Sequence, residues 1–368
     1  QAVTVSEPIV LEVNDMIDSL EERVIELDVP EAGSYHMKMV YQVPGETIMD
    51  LKLDLQINGE IPYFESQDVV LPVAWRTVEG ERNIDQYGNE TYPVAVRIHE
   101  SFEHTLVNDM FNSSDPLLFS FENGWNELTI TNNEMPFTLE RIILHSNDEI
   151  PAYDGYVSEL NQGTPQLAST PLLTEEGEKF SFKSHAHIRG ERTKNIHYMP
   201  FDPELTLINV LAENMWQAPG ESVTYEFDVP SDGFYRIGLR YLQGLKQEMP
   251  VFKDIYVNGE MLFQELQNYS VPYTRNNVTV HWVGESSEQG EYLIYLEEGP
   301  NTITFESTAS LYFEPYELLL RTIQEMNLIT LDIKMITGNR VDQNRDWAIE
   351  QHIPDISDRI LALVDNLD

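Results

Sequence analysis

Few residues in this sequence have the types and spacing to do chemistry. Of its nine histidines, His185 and His187 stand closest together. On a strand, residues two apart share a face, so two imidazoles placed this way could hold a metal ion. No third ligand stands near them, and a satisfied or solvated pair is the expectation. Acidic neighbours such as Glu175, Glu176 and Glu178, or Glu297 and Glu298, are the residue types of a glycosidase couple. With 63 acidic residues in the chain, such neighbours arise everywhere, and spacing along the sequence does not set separation in space. The nucleophile elbow, the dinucleotide fingerprint, the P-loop and the zincin motif are all missing. The reading is therefore of a chain that is not an enzyme.

What remains is a set of aromatic and polar residues at expected strand ends: Trp75, Arg76, Trp125, Trp216, Tyr273, Arg275 and Trp282. A sugar presents an apolar C–H face and a rim of hydroxyls. An aromatic platform flanked by Asn, Asp, Glu or Arg suits both. Trp216 precedes a strand starting near Glu221, and Arg275 and Trp282 follow one ending near Val271, so these three suit a ligand-binding edge if folding brings them together. The competing reading for each Trp is core or loop packing.

The elements that must position these side chains come from a duplication. Residues 226–235 read as a strand, a tight turn at Pro230 to Gly233, and the start of the next strand. The same phrase occurs 200 residues earlier, over residues 26–35. Tyr41 then answers to Tyr241, Asn58-Gly59 to Asn258-Gly259, and Leu71-Pro72 to Val271-Pro272. The offset then falls to about 175, where Gly124 and Asn126 face Gly299 and Asn301. The drift marks an insertion of about 25 residues in the first copy, between Gly80 and Asp115. Matches in the same order along both halves indicate a tandem repeat.

Composition agrees. Apolar residues make up 41% of 368, with 18 Tyr and 15 Phe, as in folded, β-rich material. Twenty-two basic residues stand against 63 acidic ones, a net charge of −41. That argues against nucleic acid and anionic membrane as partners, both of which need basic surface. Cysteine is absent, which decides little about compartment. No run of 18 apolar residues appears, and the first residues lack the charged and apolar regions of a signal peptide. The chain is read as a mature secreted chain, a cytosolic one, or a piece of a longer protein.

Four regions follow: a β-sandwich over residues 1–146, a linker over 147–174 rich in Pro, Gly, Ser and Thr, a second β-sandwich over 175–320, and a helical tail over 321–368. In the tail, Leu319, Ile323, Met326, Ile329, Ile333 and Ile336 recur at helical spacing, with Gly338 at a cap position. Ile356, Ile360, Leu363, Val364 and Leu367 form a second stripe after Pro354. The fold class is mainly β: two tandem antiparallel sandwiches plus a short C-terminal helical segment.

Both copies place a Gly-x-Tyr turn (Gly33/Tyr35, Gly233/Tyr235), an Asn-Gly hairpin, and a Gly-x-Asn stretch before a closing strand. This pattern resembles galactose-binding-like jelly rolls, as in many carbohydrate-binding modules. Residues 209–220, with Trp216 and Gly220, and residues 335–354, with Gly338, Trp347 and Pro354, resemble one setting more closely. That setting is the accessory region of very large extracellular solute-binding proteins of sugar ABC importers in Gram-positive bacteria. The resemblance covers about half the chain well and the first half loosely. It implies a secreted, non-catalytic carbohydrate-binding protein at the cell surface, with carbohydrate and a transporter or cell-surface protein as partners and no membrane insertion. In that family a periplasmic-binding-protein-like lobe pair accompanies these parts. None is read here, so a fragment or stand-alone relative is expected. The resemblance also implies a structural calcium near the first strand of module two, where Gly177-Glu178 stands in place of the usual Ala-Glu. The alternative is a structural or assembly protein using the jelly rolls and tail for protein–protein contacts.

Overall fold

The structure is a computed structural model. It describes residues 8–45, 49–78, 84–107, 116–146, 150–160, 167–168, 172–244, 247–275, 277–339, 341–342 and 344–365. The insertion limits Gly80 and Asp115, the connecting residues Gly163, Pro165 and Pro171, and Leu367 lie outside these. The chain divides into two compact units, Gln1–Thr308 and Ala309–Asp368.

The first unit begins with a β-sandwich. One sheet runs β1 (Ile9–Ile17), β11 (Phe137–Ser146), β3 (Gly33–Gln42) and β8 (Phe102–Thr105), with β9 (Leu118–Phe121) also pairing to β3. The other runs β2 (Glu22–Val29), β10 (Gly124–Asn132), β4 (Leu51–Ile57) and β5 (Val69–Leu71), all antiparallel. The period-2 pattern builds it: Ile25, Leu27 and Val29 point into the core while Glu26 and Asp28 point out. Tyr35, Tyr41, Phe119 and Phe137 are fully buried between the sheets.

The second sandwich repeats this plan. Its main sheet runs β19 (Tyr269–Val271), β18 (Val251–Val257), β22 (Gly299–Thr308), β15 (Ser222–Val229) and β12 (Phe182–Lys183). Opposite it lie two strand pairs, β16 (Gly233–Tyr235) with β21 (Ile294–Leu296), and β17 (Gly238–Tyr241) with β20 (Thr279–Trp282).

The recurring residues recur because each makes a bond the fold needs. Asn58 and Gly59 both take positive φ, 53° and 76°, as a two-residue hairpin turn requires. Asn58 donates to Asn126 Oδ1 at 3.0 Å and accepts from the Glu127 N–H at 2.8 Å. Asn126 in turn donates to the Glu122 and Gly124 carbonyls. Asn258 and Asn301 make the same set with Thr302, Glu297 and Gly299. The Tyr35 and Tyr235 hydroxyls donate to the carbonyls of Glu31 and Ser231, and those of Tyr41 and Tyr241 to Pro72 and Pro272.

The copies differ at two places. In module one β11 follows β10 and pairs with β3. In module two no strand follows β22 among the described residues, and the chain enters a helix at Ser310. The stretch read as a linker supplies what is missing. Leu167 forms a parallel bridge with Phe234, and helix α1 (Tyr153–Leu160) lays Tyr153 and Tyr156 on Phe263, with ring centres 5.0 and 5.2 Å apart. The Tyr153 and Tyr156 hydroxyls accept the N–H groups of Leu293 and Tyr295.

The second difference lies at the insertion: β8 within it stays on β3 of module one, but the stretch before β8 leaves that sandwich. Strand β6 (Trp75–Thr77), just before the insertion, and β7 (Ala95–Arg97), within it, extend the main sheet of module two, with Lys183 opposite Trp75 and Phe182 opposite Arg76. Glu90 accepts the Ile208 N–H at 2.8 Å. Tyr92 packs against the guanidinium groups of Arg189 and Arg192, 4.4 and 4.8 Å from its ring centre. The buried Arg97 reaches back to module one, donating to the Val43 and Gly45 carbonyls at 2.8 Å each.

In the second unit, α2 (Ser310–Thr337) is longer than the stripe from Leu319 to Ile336, because Tyr312 and Tyr316 continue the periodicity upstream. Gly338, at φ 71°, closes it by donating its N–H to the Lys334 carbonyl. The short α3 (Ile349–His352) precedes α4 (Ile356–Asp365), so Pro354 stands before the helix rather than in its first turn. Arg359 ties α4 to α2 through Glu325 at 2.7 Å and Asp332 at 2.9 Å. Tyr312, Tyr316, Leu319, Ile323 and Met326 of α2 are exposed. Among the described residues no helix is long and apolar enough to cross a membrane.

Candidate functional site

The aromatic candidates separate by what covers them. Trp216 follows a 3-10 turn at residues 213–215 and is half-buried. Its indole N–H donates to the Glu221 carbonyl at 2.8 Å, and the Lys253 ammonium lies 3.3 Å from its ring centre, held by Ser307. Module one has Leu53 and Asn132 at the positions equivalent to Lys253 and Ser307, so this charged pair belongs to module two alone. Trp282, on β20, packs against the backbone of Gly238, where an added Cβ would come within 2.7 Å of the ring. The Arg236 guanidinium stands 4.9 Å from the same ring and is ion-paired to Glu291. Both indoles are therefore engaged by cations of the protein itself, Trp216 in the loop before β15 and Trp282 on β20.

Tyr273 and Arg275 lie in the connection between β19 and β20. Tyr273 is half-buried, and Arg275 is exposed with φ 50°. Thr274 anchors this loop by donating its N–H to the Gln243 carbonyl at 3.1 Å. Trp75 is buried, 8% exposed, in the shared sheet, and Arg76 beside it is exposed, 4.0 Å from Glu100. Trp216 and Trp282 thus present their rings to Lys253 and Arg236 of the chain itself, and Arg275 is exposed in a separate loop.

Trp125 is the only exposed tryptophan, at 72%. It sits at the start of β10 on the outward face, opposite Asp28 of β2, with Glu127 opposite Glu26 one step along. A flat strand face thus carries an open indole edged by carboxylates. The equivalent residue in module two is Pro300.

Two polar clusters form only on folding, because their bonds depend on how a loop closes or on residues from separate elements meeting. In the first, the Gly284 N–H donates to the Tyr269 hydroxyl at 2.9 Å, which donates to His281 Nε2 at 2.6 Å, and His281 Nδ1 donates to Glu285 at 2.6 Å. The Trp282 N–H and then His281 hold the Glu285 carboxyl below its ordinary range, while burial pushes Tyr269 up. Every member is satisfied with a neutral imidazole, and the network closes the loop after β20. The second cluster joins His187 to the buried Glu221 at 2.7 Å.

Glu178 packs beside Gly190 in module two. Burial raises its carboxyl from 4.5 to about 7. Among the described residues no group of three or more His, Asp or Glu side chains gathers as a metal site. The raised value has a measurable consequence. The folded state keeps this proton up to about pH 7, whereas the unfolded chain releases it near 4.5. Between those limits the folded state binds more protons, so this contribution to stability is lost as pH rises and is constant above the window. Glu178→Gln should therefore melt above wild type at pH 8, with the two converging toward pH 4. A melting difference that does not change with pH would contradict this.

Among curated proteins none matches the chain. Solved structures similar to parts of it include a β-glucosidase from Paenibacillus barengoltzii, at 13% identity and TM-score 0.21, over 39% of this chain and 10% of that one. Another is a Podospora anserina GH26-CBM35 β-(1,4)-mannanase, at 11% identity and TM-score 0.22, over 44% and 30%. A third is latent PorU from Porphyromonas gingivalis, at 9% identity and TM-score 0.20, over 84% and 22%. The chain spans less than a third of each of these proteins. Residues 314–368, which hold most of α2 with α3 and α4, match the family model described as bacterial solute-binding protein, 4-helix bundle domain.

Proposed function

We propose that this chain is a non-catalytic accessory region of an extracytoplasmic solute-binding protein serving a sugar importer, and that its jelly rolls hold glycan at the cell surface. The observation that carries the reading is that residues 314–368, which match the solute-binding 4-helix bundle model, follow directly after a duplicated antiparallel β-sandwich. Within that reading the glycan lies on Trp125, because the other platform candidates are covered by Lys253, by Arg236 or by the core. The carboxylates of Asp28, Glu26 and Glu127 then accept from sugar hydroxyls. A net charge of −41 disfavours acidic polysaccharides at low salt.

Titration with neutral oligosaccharides tests this. An aromatic contact adds about 1 kcal/mol beyond its area burial, so Trp125→Ala should weaken binding at least about fivefold. Trp216→Ala and Trp282→Ala should leave affinity unchanged as long as they fold. If wild type binds no glycan, the assembly reading takes precedence. That second reading is favoured by the exposed apolar stripe on α2 at Tyr312, Tyr316, Leu319, Ile323 and Met326, which suits contact with further helices.

A further inference from the structure

The geometry around His185 and His187 points to a two-histidine site for a borderline transition-metal ion such as Zn²⁺, with its outer hydrogen bonds already in place. It is independent of the carbohydrate reading. The pair sits on a tight turn rather than a strand, closed by the Ile188 N–H donating to the His185 carbonyl at 3.2 Å. The turn is braced from below by Lys183. Its ammonium is buried and donates to the Ala186 and Ile188 carbonyls at 2.9 and 2.5 Å.

Each imidazole is held by one nitrogen and offers the other. His185 Nδ1 meets the Ser184 hydroxyl at 2.7 Å, leaving Nε2. His187 Nε2 meets Glu221 Oε1 at 2.7 Å, leaving Nδ1. Glu221 fixes the required tautomer of His187, and Ser184 accommodates that of His185. Glu221 is acceptor-only when ionised, and its other oxygen is occupied by the N–H groups of Gln217 and Ala218. His187 must therefore donate from Nε2 and keep its lone pair on Nδ1. The Ser184 oxygen accepts the Ser222 N–H; with its own O–H given to the Ser222 carbonyl at 3.5 Å, it is free to accept from His185 Nδ1, the arrangement that leaves the lone pair on Nε2. A metal-ligating histidine typically donates its other N–H to a carboxylate, carbonyl or water, and that bond raises its basicity. Here a buried carboxylate and a hydroxyl do this before any metal arrives.

The spacing fits. With metal–nitrogen bonds of about 2.1 Å, a metal lies roughly 3.2 Å from each ring centre, and a tetrahedral angle sets the two centres about 5.2 Å apart. The observed separation is 5.5 Å. The His187 side chain is 53% exposed, so the remaining coordination positions open to water or an incoming ligand.

The test is calorimetric titration of Zn²⁺ into metal-stripped protein in excess Mg²⁺, which saturates surface carboxylates. Side-chain NMR of labelled histidines is read in parallel. Expected are one equivalent of bound zinc, shifts confined to His185 and His187, and at least tenfold weaker binding in both His185→Ala and His187→Ala. The His36 and His145 rings are also close, with centres 5.4 Å apart. His36→Ala is therefore the control and should bind zinc as wild type does. Melting curves confirm that each variant is folded. Zinc affinity unchanged in a folded His185→Ala/His187→Ala double variant, or lost in His36→Ala, overturns the assignment.

Discussion

Gly284→Ala should lower the stability of the first unit by about 3–5 kcal/mol. Gly284 stands at φ +89°, where an L-residue is strained. An added Cβ would lie 2.6 Å from the Tyr292 backbone nitrogen, 2.7 Å from its Cγ and 2.8 Å from the Gly290 carbonyl oxygen. None of these can retreat cheaply. The Tyr292 N–H donates to the Val283 carbonyl at 2.9 Å, and the Tyr292 ring packs on Tyr153 and Phe263 in the core. The Gly284 N–H also anchors the Tyr269–His281–Glu285 chain. Gly220→Ala supplies the comparison, at φ +79° with nothing within 4 Å of the added Cβ. It should cost only the backbone term, about 1–2 kcal/mol. Urea denaturation of both variants decides. Equal losses would mean that close packing at Gly284 contributes nothing.

Arg97→Ala should cost about 3 kcal/mol and loosen the coupling between the two sandwiches. Hydrogen bonds from a charged donor contribute about 1.5–3 kcal/mol each, and this substitution removes two while orphaning the Val43 and Gly45 carbonyls. The location gives the change its second effect. Arg97 lies on β7, at the edge of the sheet of module two, yet bonds the chain leaving β3 of module one. Arg97→Lys should recover less than half of the loss, since one ammonium on a flexible stem cannot reproduce a planar fork spanning two carbonyls. Fluorescence and circular dichroism followed through the same denaturation should coincide in wild type and separate in Arg97→Ala. An alanine variant within 0.5 kcal/mol of wild type would place the coupling elsewhere, for instance in Tyr92 with Arg189 and Arg192.

The duplication and the β-sandwich class were legible from residue order, because their causes are local. Alternation along residues 22–29 sets which side chains face the core, and Asn58-Gly59 demands a two-residue turn whatever surrounds it. The equivalences at Tyr35, Tyr41, Asn58 and Asn126 survive in the structure as the same bonds made by Tyr235, Tyr241, Asn258 and Asn301. The helices of the tail were legible for the same reason, since a 3.6-residue period and a capping glycine are properties of a short stretch.

Tertiary structure alone decided where the insertion goes and which aromatic rings are open. Strand pairing depends on which edges remain unpaired once the rest has folded, so nothing within residues 75–97 announces that they complete the sheet of the other copy. The region equivalent to β11 likewise became an α-helix and a single bridge in module two, supplied by a stretch that reads as linker because it lacks any period. The indoles of Trp216 and Trp282 look like platforms in sequence. Lys253 and Arg236, 37 and 46 residues away along the chain, cover them. Trp125 stays open because its strand position points outward and its neighbours Asp28 and Glu127 are anions, which the negative face of the ring does not attract. His185 and His187 were visible as a pair. The buried Glu221 that orients one of them lies 34 residues further on, and only folding brings its carboxylate to the ring.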